Sequence, residues 1–196
     1  MPGGRLYPNS RKFILLLLPA LLVACAASNI PENYHDPEMD FSALRTVGVM
    51  PFSNLTSNKL AAERVRNSFM TSLLATGVVY VVPAGEVARG ISRLGLVNPT
   101  APSPEDVAKI AAIIKADAVI TGVLTEYGDV RSGSTTANVI AFSVQMIERE
   151  TRRVVWTAAT VKGGITVWDR LFGGGGRPMN EVTEAAINDI LNKLFY

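Results

Sequence analysis

Two periods of apolar positions alternate along this chain. Val47-Gly48-Val49-Met50-Pro51-Phe52 is a short apolar run closed by proline and by the polar stretch Ser53 to Asn58, which predicts a buried strand. From about Asn58 to Ala75 the period lengthens. Ala62, Val65, Phe69 and Leu73 recur at spacings of three and four, with Gly77 as a stop, so this segment predicts a helix. Val78 to Val82, β-branched and bounded by Gly77 and Pro83, predicts a second strand. Val87, Ile91 and Leu94 mark a short helix that closes near Gly95. The next helix starts at Ser103-Pro104-Glu105-Asp106: Ser103 caps, Pro104 sits where its missing N–H costs nothing, and two acids complement the dipole. Its apolar face is Val107, Ile110, Ala111 and Ile114.

Ala118 to Leu124 predicts a third strand, and the Gly/Ser/Thr-rich stretch from Tyr127 to Ala137 predicts a turn region. Val139 to Ile147 and Val154 to Val161 predict two more strands, joined by a tight hairpin with the charged tip Glu148 to Arg153. Trp156 sits in an alternating strand and reads as packing. Asn180 is expected to cap a last helix with Val182, Ala186, Ile190 and Leu194 on one face. The predicted order is βαβααβββα, an α/β (α+β) fold in which a mixed sheet of about five strands carries packed helices.

The N-terminal segment follows a different logic. Arg5, Arg11 and Lys12 precede an apolar run from Phe13 to Ala24 that only Pro19 interrupts. Twelve helical residues span about 18 Å, short of the roughly 30 Å of a bilayer core, so the run reads as a secretory signal. It ends Leu22-Val23-Ala24-Cys25, which resembles the bacterial lipobox: the signal peptidase recognises Leu22, Val23 and Ala24, and Cys25 receives lipid. The expected organisation is a lipoprotein signal peptide at 1–24, a lipidated tether at 25–43, broken by Pro31 and Pro37, and an α/β domain at 44–196. Tyr34-His35-Asp36 lies within the tether, where a lone histidine is solvated surface. Ala26 and Ala27 follow Cys25 with no Asp next to it. In lipoproteins of double-membrane bacteria that pattern implies an outer-membrane anchor facing the periplasm, held by membrane lipid through acylated Cys25.

Composition then narrows the chemistry. The 196 residues hold 19 Lys+Arg against 17 Asp+Glu, a net charge of +2 that gives no reason to expect a nucleic-acid partner. The signal carries three of the basic residues and no acid, so the rest is close to neutral. One Cys and one His exclude a disulfide framework and a Cys/His zinc cluster, and no cofactor is called for. Gly173 to Gly176 is followed by Arg177-Pro178, without the Lys-Ser/Thr of a phosphate loop. Asp117 with Glu126 or Asp129 is the nearest approach to a carboxylate pair, and no nucleophile elbow exists, so no catalytic residue is assigned. Asn54-Leu55-Thr56 reads as a polar loop. Trp168, Leu171 and Phe172, large apolar groups among glycines, are expected to touch either their own sheet or a partner or membrane surface.

The opening Val47-Gly48-Val49-Met50-Pro51-Phe52-Ser53-Asn54, the Val-rich strand ending at Pro83, Ala116-Asp117-Ala118-Val119-Ile120-Thr121-Gly122 and the late Thr151-Arg152-Arg153-Val154-Val155-Trp156 resemble periplasmic lipoproteins of the CsgG-like group. The wider group is similar to the N-terminal domain of TolB, to LpoB and to PelC. The resemblance implies a compact α/β domain without catalysis that works through envelope or secretion proteins or as a homo-oligomer. Three functions stay open. The first is a non-enzymatic adaptor or ring-forming accessory in secretion or envelope assembly. The second is an activator of a peptidoglycan synthase, and the third a small-ligand or glycan-binding module.

Overall fold

The computed structural model describes residues 33–132, 135–164 and 176–195. Seven strands form one sheet: β1 (Asn33–His35), β2 (Thr46–Val49), β3 (Ser53–Asn54), β4 (Tyr80–Val81), β5 (Ala118–Ser132), β6 (Thr135–Glu148) and β7 (Val154–Gly163). Four α-helices accompany them: α1 (Ala61–Ala75), α2 (Ala84–Leu94), α3 (Pro104–Ile114) and α4 (Met179–Phe195). The expected order is present, with β1 and β3 added. Strand order is β1-β7-β6-β5-β2-β4, with β3 also on β5. The β2, β3 and β4 pairings are parallel, whereas β1, β7, β6 and β5 form an antiparallel meander.

Local chemistry sets most boundaries. Pro51 has no N–H to give the ladder, so β2 and β3 are two short pieces along one side of β5. Buried Arg66 of α1 fills the break, its Nε donating to the Met50 carbonyl at 2.9 Å and the Val49 carbonyl at 3.2 Å. Burial lowers the pKa of this guanidinium, and nearby Glu63 pulls the other way. Ser103 caps α3 by accepting from the Asp106 N–H, and Gly95 ends α2 at φ 64°. α4 begins at Met179, so Asn180 lies inside the helix instead of capping it.

Three expectations change. The stretch 127–137 is not a turn region. Tyr127 pairs with Ile140, Asp129 with Asn138 and Arg131 with Thr136, so the flanking strands reach 15 and 14 residues. Cross-strand pairing there outweighs the turn-forming composition. The predicted strand Val78–Val82 is ordered as β only at Tyr80 and Val81, with Val78 and Tyr80 exposed on the sheet edge. The segment expected as a tether is docked from residue 33 onward. His35 pairs with Trp156, Asp36 is buried against Arg153 at 3.0 Å, and the His35 ring meets Phe41 edge-on at 5.3 Å. His35 is half-buried, with its Nε2 3.4 Å from the Leu194 carbonyl.

The sheet separates two cores. On one face α1 and α4 pack over Val49, Ile120, Phe142, Met146 and Trp156, all at most 4% exposed. On the other α2 and α3 pack over Met50, Val82, Val119 and Ile147. Alternation along each strand assigns Ile120 and Met146 to the first face and their neighbours Val119 and Ile147 to the second. Ile114 closes the second layer: a Cβ on Gly48 of β2 would lie 2.6 Å from its Cδ1, and one on Gly90 of α2 2.8 Å from its Cγ2. Both cores lie within the compact unit Glu32–Tyr196, which therefore carries what it needs to fold on its own.

Candidate interaction surface

The helices cover the two faces unequally. α2 and α3 lie over β2, β5 and the near end of β6, and the outer half of that face meets solvent. Ser143 and Gln145 of β6, Thr157, Ala159 and Val161 of β7 and Tyr34 of β1 share it by register: Gln145 pairs with Thr157, which pairs with Tyr34, and Ser143 pairs with Ala159. Val161 is 67% exposed and Tyr34 45% exposed. Among the described residues the patch carries no charged side chain of its own. Charged groups stand at its border, where Arg153 bridges Asp36 and Glu38. Toward the hairpin end the same face is covered again. Ala137, Val139 and Ala141 are buried there, Gly176 lies against Ala137, and Asn138 donates to the Arg177 carbonyl at 2.9 Å.

Opposite the patch, β7 is locked to α4. Trp156 is fully buried and its indole N–H donates to the Lys193 carbonyl at 3.3 Å. Lys162 and Lys193 reach Asp189 at 2.6 and 2.9 Å, and Lys193 also donates to the Ala159 carbonyl. Burial alone pushes the Asp189 carboxyl up. The hydrogen bonds from Lys162 and Lys193 more than reverse this, holding its pKa at about 2. The bare patch is therefore a rigid surface, fixed from behind by a packed helix and an ion-pair network.

Cys25 with Leu22, Val23 and Ala24, and also Trp168, Leu171 and Phe172, lie outside the described residues. Asp117 serves the fold, because its Oδ2 accepts the Arg45 and Thr46 N–H groups at 3.0 and 2.9 Å and so ties the start of β2 to β5. Glu126 and Asp129 lie nine and twelve positions along the same strand, roughly 30 and 40 Å away, so neither forms a carboxylate pair with it. Asn54 organises its loop, accepting from Thr56 and donating to the Asn58 carbonyl. Among the described residues no group of three His, Cys, Asp or Glu is placed to hold a metal, and no helix is long and apolar enough to cross a membrane. Sequence reasoning missed the patch. Its only signal is the alternation Thr157, Ala159, Val161, which looks the same under a helix or under water.

The arrangement offers an exposed, uncharged half-face, and the comparisons with known proteins bear on what it meets. The family described as peptidoglycan-synthase activator LpoB matches residues 28–161, more than half of the chain. The chain belongs to the LpoB family. The match runs from before β1 to Val161 and so contains the bare patch, whereas Trp168, Leu171 and Phe172 lie beyond it. Among solved structures, the PelC dodecamer from Paraburkholderia phytofirmans is 18% identical with TM-score 0.53, over 83% of this chain and 94% of that one. Lipoprotein GNA1162 from Neisseria meningitidis is 19% identical with TM-score 0.54, over 76% of this chain and 99% of that one. The LpoB C-terminal domain from Escherichia coli is 17% identical over 63% of this chain and 86% of that one, and its TM-score of 0.48 carries no weight here. The first two likenesses bear on the fold alone. No curated protein sequence matches the chain. The placement in the LpoB group stands, and neither the CsgG-like and TolB labels nor a role in secretion finds support in these matches.

Proposed function

We propose that this chain is a non-enzymatic lipoprotein that activates a peptidoglycan synthase by direct protein contact, and that the bare half-face of the sheet is where the synthase docks. The observation that carries the reading is the family match over 28–161. The supporting geometry is an exposed, uncharged patch of β7, β6 and β1, backed by α4, within the matched residues. Acylated Cys25 anchors the protein to the inner leaflet of the outer membrane, and the residues from 26 to 32 carry the domain toward its partner. The test is reconstitution. Residues 26–196 are expected to bind a bifunctional peptidoglycan synthase and raise its rate of glycan polymerisation, and Thr157→Lys is expected to weaken both by about tenfold. A folded domain that neither binds nor accelerates the synthase overturns the reading.

The PelC relative, solved as a dodecamer, supports a second element: self-association of this chain. Light scattering on the same domain over a range of concentrations tests it, with a discrete oligomer as the expected result and a concentration-independent monomer against it.

A further inference from the structure

A cavity of about 240 Å³ opens at the end of the domain where β2 and β4 begin. Leu44, Val47, Leu73, Val79, Met146 and Leu194 are among its walls, and Ser42 contributes its one side-chain hydroxyl. An apolar lining of this kind favours hydrocarbon over polar groups. A second cleft of about 470 Å³ adjoins it, sharing Val78 and Phe195 as a common wall. This one is lined by neutral hydrogen-bonding groups, among them Ser72, Thr76, Asn188 and Asn192. Among the described residues neither cavity has a charged residue in its lining. At the shared wall Val78 is 56% exposed, and Leu74 and Tyr80 nearby are more than half exposed, so the mouth itself is apolar.

An apolar chamber beside an uncharged, amide- and hydroxyl-lined one matches a particular kind of molecule. We infer that the pair of cavities binds a single acyl chain carrying a neutral ester or amide head, with the hydrocarbon in the first chamber and the head in the second. A free fatty-acid anion is disfavoured, because burying its carboxylate there leaves the charge without a partner. Two sources supply this chemistry: a glyceride of the membrane, or an acyl chain on the protein's own Cys25. The site lies on the α1/α4 side of the sheet, away from the bare patch, so it stands independently of the synthase reading.

Titration of residues 26–196 with monododecanoylglycerol tests the inference, with dodecanoate at pH 8 as the charged counterpart. The expected result is saturable binding of one glyceride per chain, and about tenfold weaker binding of dodecanoate. Val78→Trp, which plugs the shared wall from the solvent side, is expected to weaken glyceride binding by at least about tenfold while the circular dichroism spectrum is kept. Leu55→Trp, a comparable change at an exposed residue outside both linings, is expected to leave it unchanged. No saturable binding, equal binding by Val78→Trp, or equal affinity for dodecanoate overturns the inference. The source is read from the whole chain expressed with its signal, its acylation checked by mass spectrometry. An acylated chain in nanodiscs that refuses the glyceride carries its own acyl group in the cavity, and one that accepts it draws on the membrane. Synthase activation measured on Val78→Trp keeps the two functions apart, because it is expected to be normal.

Discussion

The two faces of the sheet are made from the same strands and end in opposite situations. Trp156 points to the side of α1 and α4 and is fully buried, while Thr157, the next residue, and Val161, five positions on, point to the other side and meet solvent. On the first face β2, β4, β5, β6 and β7 all contribute to one core. On the second, α2 and α3 reach β2, β5 and part of β6. One helix pair spans the sheet and the other does not, so a strand with a uniform composition is core on one side and exposed surface on the other. Burial is decided by what packs against a face, and the strand's own residues do not specify that.

The contrast can be broken most sharply at Trp156. Trp156→Ala removes the largest fully buried side chain and its bond to the Lys193 carbonyl. It is expected to cost about 3–5 kcal/mol, read as a lower midpoint in urea with an unchanged slope. On the second face, Gly90→Val forces side-chain atoms into Ile114, where even a Cβ would stand at 2.8 Å. Destabilisation of about 1–3 kcal/mol is expected, and Ile114→Ala in the same chain should recover part of it.

Acid probes the first face more gently. The Asp189 pKa of about 2 lies below its ordinary value of 3.8. Its contribution is therefore fully present above about pH 4 and is lost as pH falls through 4 toward 2. With the carboxylate 24% exposed, the loss is expected to be about 1–2 kcal/mol. Asp189→Asn should flatten that limb of a stability-against-pH curve, and an unchanged limb would remove the network from the account. The smallest effect on folding belongs to the bare patch. Val161→Ser is expected to shift stability by no more than about 0.5 kcal/mol while weakening synthase binding. A large loss of stability there would show that Val161 is part of a core.

Much of the fold was legible in local pattern. The spacing of Ala62, Val65, Phe69 and Leu73 identified α1 and its buried stripe, Ser103-Pro104 marked the start of α3, and Gly95 the end of α2. These signals act within one or two turns of chain, so sequence carries them completely. The hairpin 127–137 was not legible. Gly128, Ser132 and Thr135 are turn-prone by themselves, and only the partner strand makes extended backbone the better state for them. β1 was missed for a related reason: a three-residue strand has no period, and its pairing with β7 joins residues more than a hundred positions apart. Of the candidate site, sequence offered a resemblance that put a secretion or envelope adaptor first and a synthase activator second, but neither the bare patch nor the cavity beside Val78.

By itself, then, the sequence determined the local elements and marked the lipobox at Cys25 as a candidate anchor, since each rests on neighbouring residues. Tertiary structure alone decided which side of β7 is core, that Asp36 and His35 belong to the domain, and that Val78 stands between two cavities. Those outcomes depend on contacts between segments far apart in the chain, and no local pattern records which segment arrives to make them.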